Sequence, residues 1–358
     1  MQEKTLISFV IPVYNAANFI QETVESILKA HNPEGITYEI ICVNDKSSDG
    51  SENILNTLAA TYPNVRAIHR EKNGHVAAAR NTGIDAATGQ WICLVDSDDL
   101  VNQNIFKVIA KTVEDDCDII YYGYDQFIDK PKADALAEPL PSAVYFDETA
   151  IRTQQLELLT RRKMVGRTYG YRNLGLIWAK LYRRDFIVAN DIRAFEGMKY
   201  EEDLSFNFMC LARCKKAKQI NWPFLHYRLV PVSFSHGYVA DFLDRAAKTV
   251  PIYEEIIRRY YPGDKEIEAL FPYRVLWELL FSVIRGPAHH ACPDSWNVKQ
   301  ETLKGLLHSP LYKDVFSHVD IKQLDFPNMV LAYCVKKQNL VGCIVLERIL
   351  QLKNKIFN

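Results

Sequence analysis

The chain has 358 residues, a formal net charge of −1 and eight cysteines. This length is enough for one or two domains with sizeable cores, and the lack of a basic excess argues against nucleic-acid binding. The cysteines include no C-x-x-C pair, so we predict reduced thiols, no cysteine zinc site and a cytoplasmic protein. Residues 1–4 lead directly into an apolar run, and we expect neither a signal peptide nor a membrane-spanning segment.

Predicted strands and helices alternate along the first part of the chain. The predicted strands are residues 6–13, 38–43, 65–69, 91–95 and 118–124, and the helices between them are 18–30, a segment around 54–58, 75–87 and 105–113. This alternation predicts an α/β fold with a mainly parallel sheet and flanking helices. Ligands of such sheets bind outside the carboxyl ends of the strands.

Longer helical patterns replace this alternation in the last third of the chain. After a helix at 148–159, a helix that starts near 202 and a strand at 220–229, the predicted helices are 242–260, 266–284, 298–307 and 328–357, with a break near Gln338. We therefore predict a first domain over 1–238 and a helical C-terminal domain over 239–358. The last helix is amphipathic, which fits either a helix docked on a core or one lying on a membrane surface.

Three carboxylates follow the predicted strand at 91–95, namely Asp96, Asp98 and Asp99. Like charges so close together raise one another's pKa unless a cation compensates them. Mn²⁺ and Mg²⁺ take carboxylate oxygens and commonly share them with substrate phosphates. The sequence therefore predicts a divalent metal site, with capping of the helix near Asn102 as the alternative.

Tyr14 and Asp45 also come just past strand ends, which predicts that they share one rim of the sheet with the Asp96 cluster. Asp45 could bind a ribose hydroxyl or a base, or could simply form a turn. Arg80 interrupts an apolar helix, either as a surface arginine whose stem covers apolar area or as a diphosphate or structural contact.

Glu202 and Asp203 stand in the first turn of a predicted helix, where the helix dipole favours acids. The alternative is that a carboxylate here acts as a general base. His236 follows the Ser233-Phe234-Ser235 segment in a polar loop, where it could be structural or could bind metal or phosphate.

In their order and spacing, these motifs resemble the family 2 glycosyltransferases, which are inverting nucleotide-sugar enzymes of GT-A (Rossmann-like) fold. The resemblance runs from Ile7 to Ser235 and rests on residues 10–15, 43–45, 48–51, 73–74, 79–83, 96–99, 178–182, 202–203, 227–228, 233 and 235. It implies a GT-A domain followed by the helical domain. It also implies transfer of a sugar with inversion at its anomeric carbon.

The resemblance also implies roles for individual residues. The nucleotide sugar would contact Pro12, Tyr14, Asp45, Arg80 and Asp96. Asp98, with His236, would hold the Mn²⁺ or Mg²⁺ ion that grips the diphosphate. Asp203 would be the catalytic base and Glu202 would face the donor sugar or the acceptor. Trp178 and Lys180 would shape the acceptor side, and the basic loop at 161–172 could add diphosphate contacts.

We therefore expect a bacterial transferase that uses a nucleotide sugar, a UDP-sugar first of all, to build a surface polysaccharide or similar glycan. A lipid-linked acceptor would suit peripheral contact with the inner face of the membrane through the C-terminal helices. A sugar-nucleotide pyrophosphorylase is one alternative, although residues 12–15 stand where its glycine-rich phosphate loop would be. A non-catalytic nucleotide- or glycan-binding subunit is the other, although Asp96, Asp98 and Asp203 are all present.

Overall fold

The computed structural model describes residues 7–113, 116–131, 140–161, 175–198, 200–229 and 238–357. The chain divides into two units: Met1–Arg152 with Tyr171–Pro231, and Thr153–Gly170 with Val232–Asn358. This division assigns residues 153–170 to the second unit, whereas the sequence prediction placed them in the first domain.

One nine-stranded sheet organises the described part of the first unit. Its strands are β1 Ile7–Val13, β2 Tyr38–Asn44, β3 Val65–His69, β4 Trp91–Leu94, β5 Leu100–Val101, β6 Ile119–Phe127, β7 Val144–Phe146, β8 Lys180–Arg183 and β9 Ala217–Arg228. They lie in the order β3-β2-β1-β4-β8-β6-β9-β5, with β7 beside β9.

Parallel pairing joins β3, β2, β1 and β4, and joins β6 to β9, as the alternating pattern predicted. Strand β8 lies antiparallel between β4 and β6, while β5 and β7 pair antiparallel with β9. The α/β class is confirmed, and the sheet is mixed. The added antiparallel strands are two to four residues long, too short for a hydrophobic period to reveal them.

The helices of the first unit cover a sheet whose central strands are buried on both faces. They are α1 Ile20–Leu28, α2 Ser51–Thr61, α3 His75–Ala86, α4 Ile105–Thr112, α6 Arg184–Ala189 and α7 Glu202–Arg213, while α5 Glu148–Thr160 belongs to the first unit up to Arg152 and to the second from Thr153. All seven residues of β1 are buried, which explains why this strand is a continuous apolar run without polar alternation. Phe9 on β1 packs edge-on against Tyr38 and Phe106, at ring-centroid distances of 6.2 and 6.0 Å.

Helix α3 lies very close to the sheet because its inner face is built from alanine and glycine. A Cβ atom added to Gly83 would stand 2.2 Å from Val10 Cγ1 and 3.3 Å from Val43 Cγ2. The same helix carries Arg80, whose side chain is only 3% exposed. Close packing of α3 therefore places a charged side chain inside the fold.

The described part of the second unit is helical, in agreement with the sequence pattern. Its helices are α8 Phe242–Tyr260, α9 Lys265–Arg285, α10 Trp296–His308, α11 Phe326–Lys336 and α12 Leu340–Phe357. Side chains of Asp264, Ser295 and Asp325 accept hydrogen bonds from backbone N–H groups at the starts of α9, α10 and α11. The predicted break is present at Gln338, which has a φ of 54° between α11 and α12. Among the described helices, none combines the length and the apolar character that crossing a membrane requires.

Candidate active site

The carboxyl ends of β1, β2 and β4 meet at one rim of the sheet, because these strands are parallel neighbours. Pro12 is buried within β1, past its last register pair with β4 at Val10 and Leu94. Tyr14 follows β1 and is 56% exposed, which leaves its ring available to a ligand. Asp45 and Asp96 follow the other two strands.

Side-chain hydrogen bonds tie the loop after β1 to the loop after β2. Ser48 N donates to Asn15 Oδ1 at 2.8 Å, and Ala17 N donates to Asp49 Oδ2 at 2.9 Å. Asp49 Oδ1 in turn accepts from the Ser51 hydroxyl at 2.6 Å. The polar Ser48–Ser51 segment therefore fixes the two loops against each other. In the sequence, this segment stood out only as one of the motifs that carry the resemblance.

Asp45 is engaged inside the fold. Its two carboxylate oxygens accept from Gly74 N at 3.0 and 3.2 Å, and Arg70 Nη1 lies 3.5 Å from Oδ1. Its backbone oxygen accepts from Asn73 Nδ2 at 3.0 Å. The Asp45 side chain is 2% exposed, and its hydrogen bonds fix the start of α3, which agrees with the predicted role in a turn. Recognition of a base or ribose by Asp45 stays a prediction.

Arg80 is the centre of the candidate site, and its burial excludes the surface position and fits the structural contact that the sequence left open. Its Nη2 donates to Asp96 Oδ1 at 2.9 Å, and its Nη1 donates to Asp203 Oδ1 at 2.6 Å and to Glu202 Oε1 at 3.3 Å. Glu201, just before α7, has a φ of 62°, a conformation that strains a residue other than glycine. The strained turn and the buried guanidinium together hold three carboxylates in one place. Both terminal nitrogens of Arg80 are thus occupied by carboxylates, which argues against the diphosphate contact expected for it.

Burial and mutual repulsion make Glu202 and Asp203 more basic than usual. Burial, followed by repulsion from Asp203, raises the pKa of Glu202. Burial likewise raises the pKa of Asp203, while the nearby Arg80 guanidinium opposes that rise. One arginine thus only partly compensates the acids around it, so the pKa values of Glu202 and Asp203 stay raised.

Asp98 and Asp99 form a second acidic group beside the first. Burial, and then repulsion from Asp96, raises the pKa of Asp98 to about 6 and that of Asp99 well above its usual range. Asp99 Oδ1 accepts from Arg228 N at 2.9 Å, whereas buried Asp99 Oδ2 has no hydrogen-bond partner among the described residues. Arg228 Nε also donates to the Asp98 backbone oxygen at 2.8 Å.

These acids fit a divalent cation by charge and by donor type, because uncompensated carboxylate oxygens are the ligands that Mn²⁺ and Mg²⁺ prefer. Within the described part of the chain, Asp96, Asp98 and Asp99 do not form a group of three ligand atoms all within 4.8 Å of one another. His236, the second predicted metal ligand, lies outside the described residues, as do Ser233, Ser235 and most of the basic loop at 161–172.

Trp178 and Lys180 are both buried, so neither presents an open surface to an acceptor. Trp178 is 3% exposed, stacks on Tyr227 at 5.2 Å and meets Tyr124 edge-on at 4.8 Å. Lys180 is fully buried and donates to the Leu176 backbone oxygen. Burial lowers its pKa to about 7, against the opposing pull of Asp203. Their expected role in shaping the acceptor side stays a prediction.

Tyr227 and Arg228 are site residues to which the sequence reading gave no role. Tyr227 is partly exposed between Trp178 and the acids, and burial together with the charge of Asp99 raises its pKa to about 12. Their only signal in the sequence was the pair Tyr227-Arg228 at the end of a strand, among the motifs that carried the resemblance.

Residues 8–174 match the family model of glycosyl transferase family 2. The chain carries a family 2 glycosyltransferase domain. This match confirms the family that the motifs predicted, and it includes the β1, β2 and β4 rim with Arg80 and the Asp96 cluster.

Curated relatives agree with this assignment. The chain is 29% identical over 232 residues to the uncharacterized glycosyltransferase EpsJ of Bacillus subtilis, covering 64% of this chain and 63% of EpsJ. It is 47% identical over 96 residues to the poly(ribitol-phosphate) beta-glucosyltransferase of Bacillus spizizenii, covering 26% of this chain and 15% of that protein. The chain therefore spans less than two thirds of the length of these relatives.

A solved structure supports the fold along most of the chain. Residues 1–349 of S. aureus TarS, crystallised with UDP-GlcNAc, superpose with a TM-score of 0.65 at 17% identity. The match covers 97% of this chain and 92% of the TarS chain. It confirms the GT-A type of α/β fold with a helical C-terminal region.

Proposed function

We propose that this protein is an inverting glycosyltransferase that moves a sugar from a nucleotide sugar to an acceptor hydroxyl in the synthesis of a surface polymer. The observation that carries the proposal is the cluster in which buried Arg80 gathers Asp96, Glu202 and Asp203 beside Asp98. Family membership and the activity named for the Bacillus spizizenii relative support the reaction class. A UDP-sugar is the donor to test first, because the fold neighbour TarS was crystallised with UDP-GlcNAc.

Asp203 is the base in this mechanism. Arg80 holds its Oδ1, whereas the hydrogen bond described for Oδ2 is a long one of 3.4 Å from Ile177 N, and the side chain is 18% exposed. Oδ2 is therefore the oxygen that can accept the proton of the acceptor hydroxyl. Attack by that hydroxyl on the face opposite the leaving diphosphate inverts the anomeric carbon, as a single displacement requires.

Asp98 would hold the divalent cation, with the buried carboxylate of Asp99 beside it. Mn²⁺ or Mg²⁺ bound there would neutralise charge that develops on the leaving diphosphate. Such ions often use one or two carboxylates plus substrate phosphates, so a complete cage of protein ligands is not needed before the donor binds.

The last helix supports the proposed contact with the inner face of a membrane, where a lipid-linked acceptor would be found. Val341, Val345, Ile349 and Leu352 are 53–60% exposed and recur every three or four residues, so they share one face of α12. Arg348 is exposed among them. The acid of this helix, Glu347, is buried at 2% exposure. A face of aliphatic and basic side chains fits an anionic lipid surface.

A cytoplasmic location is part of this proposal, and it agrees with eight free cysteines. Neither of the two alternative functions, a non-catalytic binding subunit or a sugar-nucleotide pyrophosphorylase, gains support. A non-catalytic subunit would not need basic carboxylates held at a strand rim. The loop after β1 begins Tyr14-Asn15 and lacks the glycine-rich character of a pyrophosphorylase phosphate loop.

The experiment that tests this function measures nucleotide release from UDP-, GDP-, CMP- and dTDP-sugars, with Mn²⁺ and then with EDTA. We expect one donor to turn over and chelation to abolish the reaction. Asp203→Asn should lower kcat by roughly 10²–10⁴-fold, because the hydroxyl then keeps its proton. Glu202→Gln, beside it on the same turn, tests whether the neighbouring acid shares the role.

Asp85→Asn is the matched control, because Asp85 is 60% exposed and pairs with Arg193 away from the site. Its rate should equal that of the wild type. Turnover that persists in EDTA would refute the metal step, and an Asp203→Asn enzyme with the wild-type rate would refute the assignment of the base.

A further inference from the structure

A cluster of metal-ligand side chains lies in the second unit, on elements that the proposed reaction does not use. His289 and His290 stand in the turn after α9, and Glu347 lies in the middle of α12. One ligand atom from each residue lies within 4.8 Å of the other two. Glu347 Oε1 is 2.9 Å from His290 Nδ1 and 3.6 Å from His289 Nε2.

The carboxylate in this cluster lacks a full counter-charge. Glu347 is 2% exposed, and its Oε2 is buried without a hydrogen-bond partner among the described residues. The ion-pair partners described for it are the two imidazoles, which carry charge only when protonated. A buried carboxylate is costly unless it is paired or coordinates a metal.

We infer that His289, His290 and Glu347 form a binding site for a divalent transition metal, with Zn²⁺ as the best match. Two imidazole nitrogens and one carboxylate oxygen are a ligand set that zinc favours, whereas Mg²⁺ and Ca²⁺ prefer oxygen alone. Zinc bonds of about 2.0–2.2 Å in a tetrahedron set ligand atoms roughly 3.3–3.6 Å apart. The two measured distances, 2.9 and 3.6 Å, bracket that spacing.

The exposure of the cluster fits three protein ligands and one water. His290 is 38% exposed on its side chain, whereas His289 and Glu347 are each 2% exposed. Solvent therefore reaches the site from the His290 side. Three protein ligands leave a fourth position of the tetrahedron for that water.

Binding requires a local change at His289. Ala291 N donates to His289 Nδ1 at 3.1 Å, which places the ring proton of the neutral imidazole on Nε2. A cation at Nε2 requires the other neutral tautomer, in which the single ring proton has moved from Nε2 to Nδ1, and the hydrogen bond from Ala291 N is then lost. We therefore expect weaker binding than in a closed four-ligand zinc site.

The metal would act as a cross-link between the turn after α9 and the final helix. His290 and Glu347 are 57 residues apart in the chain. Binding to the folded state alone stabilises it by mass action, so zinc should raise the melting temperature. The site thus gives the helix with the exposed aliphatic face a metal-dependent anchor.

The test titrates the full chain with ZnCl₂ after chelation and dialysis, and reads bound zinc by elemental analysis and the melting temperature by calorimetry. We expect one zinc per chain. His290→Gln and Glu347→Gln should each weaken binding by at least about 10–100-fold, since even residues that only support metal ligands have effects of that size.

His308→Gln on α10 is the matched control, because His308 is exposed and the hydrogen bond described for it joins its Nδ1 to the Lys304 backbone oxygen in its own helix. It should bind zinc like the wild type. Asp98→Asn should also keep the zinc, which separates this site from the proposed catalytic metal. The inference is overturned if the wild type binds no zinc, or if His290→Gln and Glu347→Gln, shown to be folded by circular dichroism, bind zinc as the wild type does.

Discussion

Arg80 is a single cation that faces three carboxylates, and this imbalance shapes the chemistry of the site. The guanidinium donates to Asp96, Glu202 and Asp203 while almost fully buried. It opposes the rise in the pKa values of Glu202 and Asp203, yet burial and mutual repulsion still keep both values raised. We therefore assign Arg80 a positioning role that also tunes the base.

We predict that Arg80→Lys lowers kcat by at least about 100-fold. An ammonium group cannot hold two carboxylates in the fixed fork geometry of a guanidinium, and a displaced catalytic carboxylate lowers the rate by a factor of this size. Arg80→Met should in addition move the acid limb of the kcat–pH profile to higher pH. The reason is that the pKa of Asp203 rises further without the cation, so the base is protonated at a higher pH. Steady-state rates across the acid and neutral range check both effects.

Arg193→Lys serves as the control for this prediction, because Arg193 pairs with exposed Asp85 at the surface. Its profile should match the wild type. An unshifted acid limb in a folded Arg80→Met enzyme would contradict the tuning role.

The sequence predicted the positions of the acids but not what holds them. Asp96 could be found because it follows a buried apolar run, and Asp203 because it begins a helix next to another acid. The partners of Arg80 lie 16 and 123 residues away, so only the folded chain brings them together. Local periodicity carries no information about such a contact, and an arginine on an apolar helix therefore resembled a surface residue.

In helix α3, the glycine at position 83 determines where the Arg80 side chain lies. Gly83 lies one turn after Arg80 and lets the helix approach β1, since an added Cβ would meet Val10 Cγ1 at 2.2 Å. The sequence predicted an apolar helix over 75–87. It could not predict that the packing would bury an arginine at the strand rim.

We predict that Gly83→Ala destabilises the protein by about 1–3 kcal/mol, because overpacking forces β1 and α3 apart. The displacement of α3 should also lower kcat, since Arg80 moves with the helix. Gly305→Ala is a matched change in helix α10, where an added Cβ has no atom within 4 Å. That variant should gain about 0.5–1 kcal/mol from helix propensity. Denaturant melts of the two variants check the opposite signs, and equal effects would contradict the packing argument.

Helix α12 carries the prediction on membrane contact. Replacing exposed Val345 and Ile349 together by asparagine should lower binding to anionic vesicles by at least about tenfold, because each aliphatic side chain gains about 1.5–3 kcal/mol when fully buried. Cosedimentation with vesicles of anionic and of neutral lipid measures it. The melting temperature should hardly change, since exposed positions contribute little to folding.

Val298→Asn on α10 is the control for this change, because Val298 is 49% exposed on another helix. Its vesicle binding should equal that of the wild type. If the double variant binds anionic vesicles as well as the wild type does, α12 is not the contact face.

The whole molecule is nearly neutral, with 43 basic and 44 acidic residues, but Asp98 and Asp99 lie together just past one rim of the sheet. Asp98 has a pKa raised from 3.8 to about 6, and Asp99 is shifted in the same direction. In this interval the folded chain binds protons that the unfolded chain has released. The contribution of these groups to stability is therefore largest at low pH and is lost as the pH rises through their folded pKa values.

We predict that, without metal, the free energy of unfolding of Asp98→Asn equals that of the wild type near pH 4. At pH 7 it should exceed the wild-type value by up to about 3 kcal/mol, which is the free energy of a shift of about two pKa units. Mn²⁺ with UDP should stabilise the wild type much more than the variant. Thermal melts at several pH values test this difference. A difference that shrinks as the pH rises would contradict the raised pKa.

The reciprocal bonds between the loop after β1 and the loop after β2 also limit how donor specificity could be redesigned. Asn15 and Ala17 in the first loop depend on Ser48 and Asp49 in the second. Grafting one loop from a homologue would leave donors and acceptors of the other without partners. A chimera that takes both loops from the same homologue keeps donors and acceptors that match across the two loops. The two loops should therefore be exchanged together when donor specificity is redesigned.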